Sequence, residues 1–137
     1  MYTMTMKRLI FALAVSFLIF SCNTTANITD DMSPAELIQR GQEATDRNRY
    51  SLALQYYQVL NERNRTNMDL VITAEYHIAH IHYKQGKYDQ AREGLNALLE
   101  YYNSPDQELL PQHFKRLAQI VLERIDEKEN RRPFSSR

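Results

Sequence analysis

Three histidines crowd into the run Tyr76-His77-Ile78-Ala79-His80-Ile81-His82-Tyr83, and imidazole is the commonest metal-ligating side chain. On a helix, His77 and His80 lie three residues apart on one face, a spacing that brings two imidazoles to one ion. The set is incomplete. A closed site needs about four ligands, and no His-Glu-X-X-His arrangement is present to supply a general base. Other reactive constellations are missing as well: there is no Gly-rich phosphate loop, no Gly-X-Ser-X-Gly elbow and no free cysteine for a Cys-His pair, since the one cysteine, Cys22, closes the N-terminal apolar segment. The acids of Glu123-Arg124-Ile125-Asp126-Glu127-Lys128-Glu129 follow the spacing of a solvated helix face. The expectation is a non-catalytic chain without metal or cofactor.

The histidines therefore have to be read through the elements that carry them. The chain has 137 residues, 3 Gly, 4 Pro, no Trp and a formal net charge of zero, which fits one small domain and excludes a strongly basic nucleic-acid binder. Residues 1–21 stand apart from that domain: Lys7 and Arg8 precede an apolar run from Leu9 to Phe20 that ends at Ser21-Cys22. Its 12 residues fall short of the ~20 that a membrane-spanning helix needs, so the segment reads as an export signal.

Leu18-Ile19-Phe20-Ser21-Cys22 resembles a bacterial lipobox. The resemblance implies cleavage before Cys22, diacylglycerol on its sulfur, and a chain held at the inner or outer membrane of a cell envelope, facing the periplasm or the exterior. Two or three acyl chains anchor durably where one does not. Loss of residues 1–21 leaves 15 basic and 17 acidic side chains, a balance too mild to steer a nucleic acid or an anionic bilayer by net charge. Residues 22–32, with Asn23-Thr24-Thr25-Ala26-Asn27-Ile28-Thr29-Asp30-Asp31, hold little to bury and read as a flexible tether.

From residue 33 onward the pattern is helical. Ser33-Pro34-Ala35-Glu36 combines an N-cap hydroxyl, Pro at the first helical position and Glu three residues after the cap; Ser104-Pro105-Asp106-Gln107 repeats the device. Apolar stripes recur at helical spacing: Tyr50, Ala53, Leu54, Tyr57 and Leu60; Val71, Ala74, Ile78 and Ile81; Tyr88, Ala91, Leu95 and Leu98; Phe114, Leu117, Ala118, Val121, Leu122 and Ile125. No β-alternation of useful length appears, so the fold class is all-α. Gly86 suits a left-handed helix end and Asn48 is the next-best residue for one; an offset of 38 residues superimposes Asn48 on Gly86, Tyr50 on Tyr88 and Ala53 on Ala91. The chain contains an internal repeat.

Tyr83-Lys84-Gln85-Gly86-Lys87-Tyr88-Asp89-Gln90-Ala91 and its weaker copy around Asn48 resemble the tetratricopeptide (TPR) family of helix-turn-helix repeats. The resemblance spans residues 34–103. Gly41, Ala53, Ala79 and Ala91 match the small residues where paired helices approach most closely, while Leu37 and Glu75 stand where that family has Trp. It implies antiparallel hairpins stacked in a right-handed superhelix: repeat 1 at 34–67, repeat 2 at 72–105, a capping helix at 105–129 kinked or restarted at Pro111, and a disordered basic tail at 130–137. Four additional residues separate the copies, assigned to a longer second helix or to a longer loop around residues 62–67. His82 maps to a packing position. The implied partner-binding groove takes Ala35, Ile38, Gln42, Thr45 and Asp46 from the first repeat and Thr73, Tyr76, His80, Tyr83 and Lys84 from the second. The expected function is a lipid-anchored adaptor for a protein or peptide partner in the envelope, with a small-ligand accessory of a periplasmic transport system as the alternative and metal chemistry at His77 and His80 last. Helical repeats need ~3 units for independent stability, so the first and last helices, or a second copy or a partner, must cover the ends.

Overall fold

The computed structural model describes residues 25–131; the signal segment, Cys22 and residues 132–137 lie outside the described residues. Among the described residues five α-helices follow one another: α1 (Pro34–Asp46), α2 (Tyr50–Arg63), α3 (Met68–Lys84), α4 (Tyr88–Glu100) and α5 (Gln112–Asn130). The fold is all-α, a stack of antiparallel hairpins in which α1 pairs with α2, α3 with α2 and α4, and α5 with α3 and α4.

Both hairpin turns close by the same mechanism. Asn48 (φ 56°) and Gly86 (φ 75°) are left-handed, and each sits inside a paired set of backbone hydrogen bonds. The Arg49 N–H donates to Ala44 O at 2.8 Å and the Asn48 N–H to Thr45 O at 3.0 Å; 38 residues on, Lys87 donates to His82 O at 2.9 Å and Gly86 to Tyr83 O at 3.0 Å. This is the Schellman closure, which satisfies the carbonyls that a helix C-terminus otherwise leaves open. At the start of α1, Ser33 Oγ accepts the Glu36 N–H at 3.2 Å, the capping arrangement expected of that sequence.

The four additional residues between the copies belong to neither of the places expected. Helix α3 has 17 residues against 13 in α1, and the added turn is at its N-terminus, where the Asn67 side chain accepts the Leu70 N–H at 3.3 Å. Asn67 makes an N-cap, so helix can begin at Met68 rather than at 72.

The last helix also begins elsewhere than expected. Residues 101–103 and 107–109 form single 3-10 turns, and α5 starts at Gln112, not at residue 105. Pro111 forces Leu110 into extended backbone (ψ 153°) and has no N–H, so the restart at Pro111 is what the chain adopts and the Ser104-Pro105 cap opens no α-helix. Tyr102 fastens this connection by donating its hydroxyl to Pro111 O at 2.7 Å. At the other end, Asn130 completes α5 and the Arg131 N–H donates to Glu127 O, so the first two residues of the expected tail belong to the helix terminus.

Residues 26–32 do not form a free tether. Ala26, Ile28 and Met32 pack onto the first hairpin, the Ala26 N–H donates to Gln55 Oε1 at 2.9 Å, and Arg63 donates to Thr29 O at 3.1 Å and meets Asp30 at 3.3 Å. The strap runs along α2 from its middle to its C-terminal end. Three apolar side chains at two- to four-residue spacing suffice to hold it, although the segment is polar overall.

The apolar interior is divided in two by α3. Ala74 and Ile81 join Leu37, Tyr56, Tyr57 and Leu60 of the first hairpin; Ile72, Tyr76 and Ala79 join Leu95, Leu98, Phe114, Val121 and Ile125 on the other side. Close approach is built into both hairpins. A methyl group on Gly41 would stand 2.7 Å from Cζ of Tyr57, and one on Gly94 would stand 3.0 Å from Cβ of Ala79. Tyr57 is fully buried and its hydroxyl has no hydrogen-bond partner among the described residues.

These contacts predict opposite results for two small substitutions. Gly41→Ala should lower the free energy of unfolding by about 1–3 kcal/mol through overpacking against Tyr57. Tyr57→Phe keeps the ring and removes the unpaired hydroxyl, so its urea midpoint should equal or exceed that of the wild type. Parallel urea titrations followed by circular dichroism check both.

Candidate functional site

Helix α3 has apolar side chains buried towards both hairpins, and its remaining side chains line two different surfaces. On one of them the rings form a ladder. His77 stacks on Tyr57 of α2 (centroids 4.6 Å apart, planes within 9°), Tyr76 stacks on His80 at 5.6 Å, and His80 on Tyr83 at 5.9 Å. Phe114 of α5 closes one side, 5.1 Å from Tyr76 and edge-on to His77 at 6.1 Å. Such ring pairs contribute ~0.5–1.5 kcal/mol each beyond the area they bury.

The ladder changes the roles expected of these residues. Tyr76 is only 6% exposed and is part of the second core, so it is not a free groove residue; the cover comes from Phe114, in a helix whose placement helical periodicity alone does not give. His77 is a packing ring rather than a presented ligand. Burial pushes its pKa down to about 4, with His80 adding to the effect. His80 is partly exposed and its pKa is also lowered, first by burial and then by the cations Lys84 and Arg124. A divalent cation would meet the same repulsion, and no group of three or more His, Cys, Asp or Glu side chains placed to hold a metal occurs among the described residues.

The other expected groove residues remain accessible. Lys84, Gln42 and Asp46 are exposed, Tyr83 is partly exposed, and Thr73 turns its hydroxyl back to Asp69 O at 2.6 Å. Gly41 and His77 both lie against Tyr57, so that ring joins α1, which carries Gln42 and Asp46, to α3. One cation beside the ladder lies outside the expected groove set, and one residue of the expected buried stripe is exposed. Arg124 acts on both Tyr76 and His80, and Leu117, assigned from periodicity to the buried stripe, is 38% exposed two turns before it. The signal for them was the spacing 113-117-120-124 on α5, a second helical line beside the buried one.

A second surface of α3 borders a cavity of about 420 Å³ between α3 and α4, lined among others by Glu75, Ile78, His82, Glu93 and Tyr101. The small residues Ala79, Gly94 and Ala97 open it. The Tyr101 hydroxyl donates to Glu75 Oε1 at 3.1 Å, and burial raises the Glu75 pKa. His82, partly buried, also contributes to the wall of this cavity. Nothing in the residue pattern marks this space, because it arises from what small side chains leave open.

No family model matches the chain, and no solved structure matches it. A protein of Treponema pallidum (strain Nichols), described as "Uncharacterized protein", is 31% identical over 118 residues, which cover 84% of this chain and 47% of that relative. The chain thus spans about half the length of the relative it matches.

The buried imidazole predicts an acid-sensitive fold. The His77 pKa is lower folded than unfolded, so the unfolded chain takes up its proton first; stability is intact above pH ~6.5 and falls as the pH drops towards 4, by on the order of 3 kcal/mol. Glu75, with its raised pKa, opposes part of this loss. Urea unfolding across that window should show the decline in the wild type and a much flatter profile in His77→Phe, which keeps a ring against Tyr57.

Proposed function

We propose that the protein is a non-catalytic, TPR-type interaction module anchored by lipid on Cys22 in a bacterial cell envelope, and that the ring ladder of α3 receives an extended peptide carrying an acidic group. The observation that carries this reading is the pairing of partly exposed stacked rings, His80 and Tyr83, with the cations Lys84 and Arg124 at their edge. Flat apolar rings bind chain segments at low entropic cost, and the two cations supply a counter-charge for a carboxylate. The rings are held from behind by Tyr76 and Phe114, so little ordering is left to occur on binding.

Two further observations support a scaffold of this type. The two Schellman turns repeat at the 38-residue offset, and small residues occupy the helix crossings where the TPR pattern has them. No described helix is long and apolar enough to cross a membrane, and attachment on this reading rests on Cys22. The cavity between α3 and α4 favours a second reading, a small-ligand accessory of a transport system, whose ligand would displace solvent from beside Glu75 and Ile78.

A photo-cross-linking residue at Gln42 or Thr73 of the full chain in cells should capture partner, and one at Asn96 on α4 should not. Tyr83→Ala and Lys84→Glu should each weaken capture about ten-fold with an unchanged melting temperature. Cys22→Ser should abolish incorporation of labelled palmitate. Equal capture from position 96, or label retained in Cys22→Ser, would refute the corresponding half of the reading.

A further inference from the structure

Because neighbouring helices alternate in direction, the α1–α2 turn, the α3–α4 turn and the end of α5 lie at one end of the stack. The placement of α5 is fixed by contact: Arg92 near the start of α4 bridges Asp126 and Glu129 at 2.7 Å each, and Lys128 lies over the rings of Tyr83 and Tyr88. The two turns carry Arg47, Arg49, Lys84 and Lys87 against Glu43, Asp46 and Asp89, and the end of α5 adds Lys128 and Arg131 against Asp126, Glu127 and Glu129, two of these acids being taken up by Arg92. All four turn cations are exposed; Arg49, Lys84 and Lys87 enter no ion pair among the described residues, and Arg47 reaches Glu43 only at 3.9 Å. The opposite end is more acidic, with Asp30, Asp31, Glu62, Asp69, Glu100, Asp106 and Glu108 exposed against Arg63, Arg65, Lys115 and Arg116. A near-zero net charge hides this separation.

The strap points to the basic end. Traced backwards from Asp30 at the end of α2 to Ala26 at Gln55, it runs towards the α1–α2 turn, from which Gln55 is about 7 Å along the helix axis. The four peptide links from Ala26 to Cys22 span at most ~14 Å, so a lipid on Cys22 keeps that turn beside the bilayer. To present the acidic end, the chain would have to double back over about 12 Å of α2 and then clear the 64–67 loop.

We propose that the basic end of the stack rests on anionic phospholipid headgroups, with Arg47, Arg49 and Lys87 as the contacting cations and the acidic end directed away from the membrane. This rests on the lipid-anchor reading. Charges of this kind act within a screening length of the surface, which the short link to Cys22 guarantees.

The test uses the full chain from a bacterial host, with intact mass establishing diacylglycerol on Cys22, placed in phosphatidylcholine nanodiscs with and without phosphatidylglycerol. With gadolinium-chelate headgroups as the relaxation probe, amides 46–50 and 84–89 should broaden at least two-fold more than amides 64–67 and 103–108 in the anionic discs. High salt, which cuts the screening length to ~3 Å at 1 M, should return the difference to the level that the anchor alone gives in phosphatidylcholine discs. So should R47E/R49E/K87E, whose melting curve should stay that of the wild type because all three side chains are exposed. Equal broadening of both ends in the lipidated protein, or an increase on adding phosphatidylglycerol that survives charge reversal, overturns the headgroup contact and leaves the anchor standing. A mass without diacylglycerol overturns both.

Discussion

Everything in the fold leans on α3, a helix that has to satisfy two cores at once. Ala74 and Ile81 are committed to the first hairpin and Ile72, Tyr76 and Ala79 to the second. A 17-residue helix so committed has few positions left for charge, and those it has fall at its ends and on two narrow strips. That constraint explains why His77, His80 and His82 occur here: imidazole is flat enough to pack against Tyr57 or Tyr83 and tolerates partial burial in its neutral form, which a permanently charged side chain does not. Removing α3 would leave neither hairpin with a complete interior.

The two strips differ in electrostatic character. Towards α5, stacked rings are edged by Lys84 and Arg124; towards α4, a cavity opens between Glu75 and Glu93 with Tyr101 holding one carboxyl. One helix thus faces an environment suited to anions on one side and one lined by acids on the other, with a dry core between. Of two surfaces separated by a packed helix, one can change without the other being rebuilt.

What was legible in the residue pattern was local. The left-handed positions at Asn48 and Gly86, the cap at Ser33 and the buried stripes of α2, α4 and α5 each depend on chemistry within one or two helical turns, and helix class and hairpin pairing follow from them. What was not legible depends on the approach of distant segments. Tyr76 reads as a surface ring until Phe114 comes over it, 38 positions later in the chain. Residues 26–32 read as tether because Ala26, Ile28 and Met32 look sparse in isolation, yet a preformed α2 gives each of them a place. Ser104-Pro105 has the chemistry of a helix start but is overruled by Pro111 six residues on.

The strap has a mechanical consequence. It lies alongside α2, fastened at Gln55 and again at Arg63, so tension applied through the N-terminus is directed along the helix axis and loads both attachments together in shear. Contacts pulled in that direction must slide past one another rather than peel apart singly. The first hairpin is therefore arranged to resist withdrawal of the segment that precedes it.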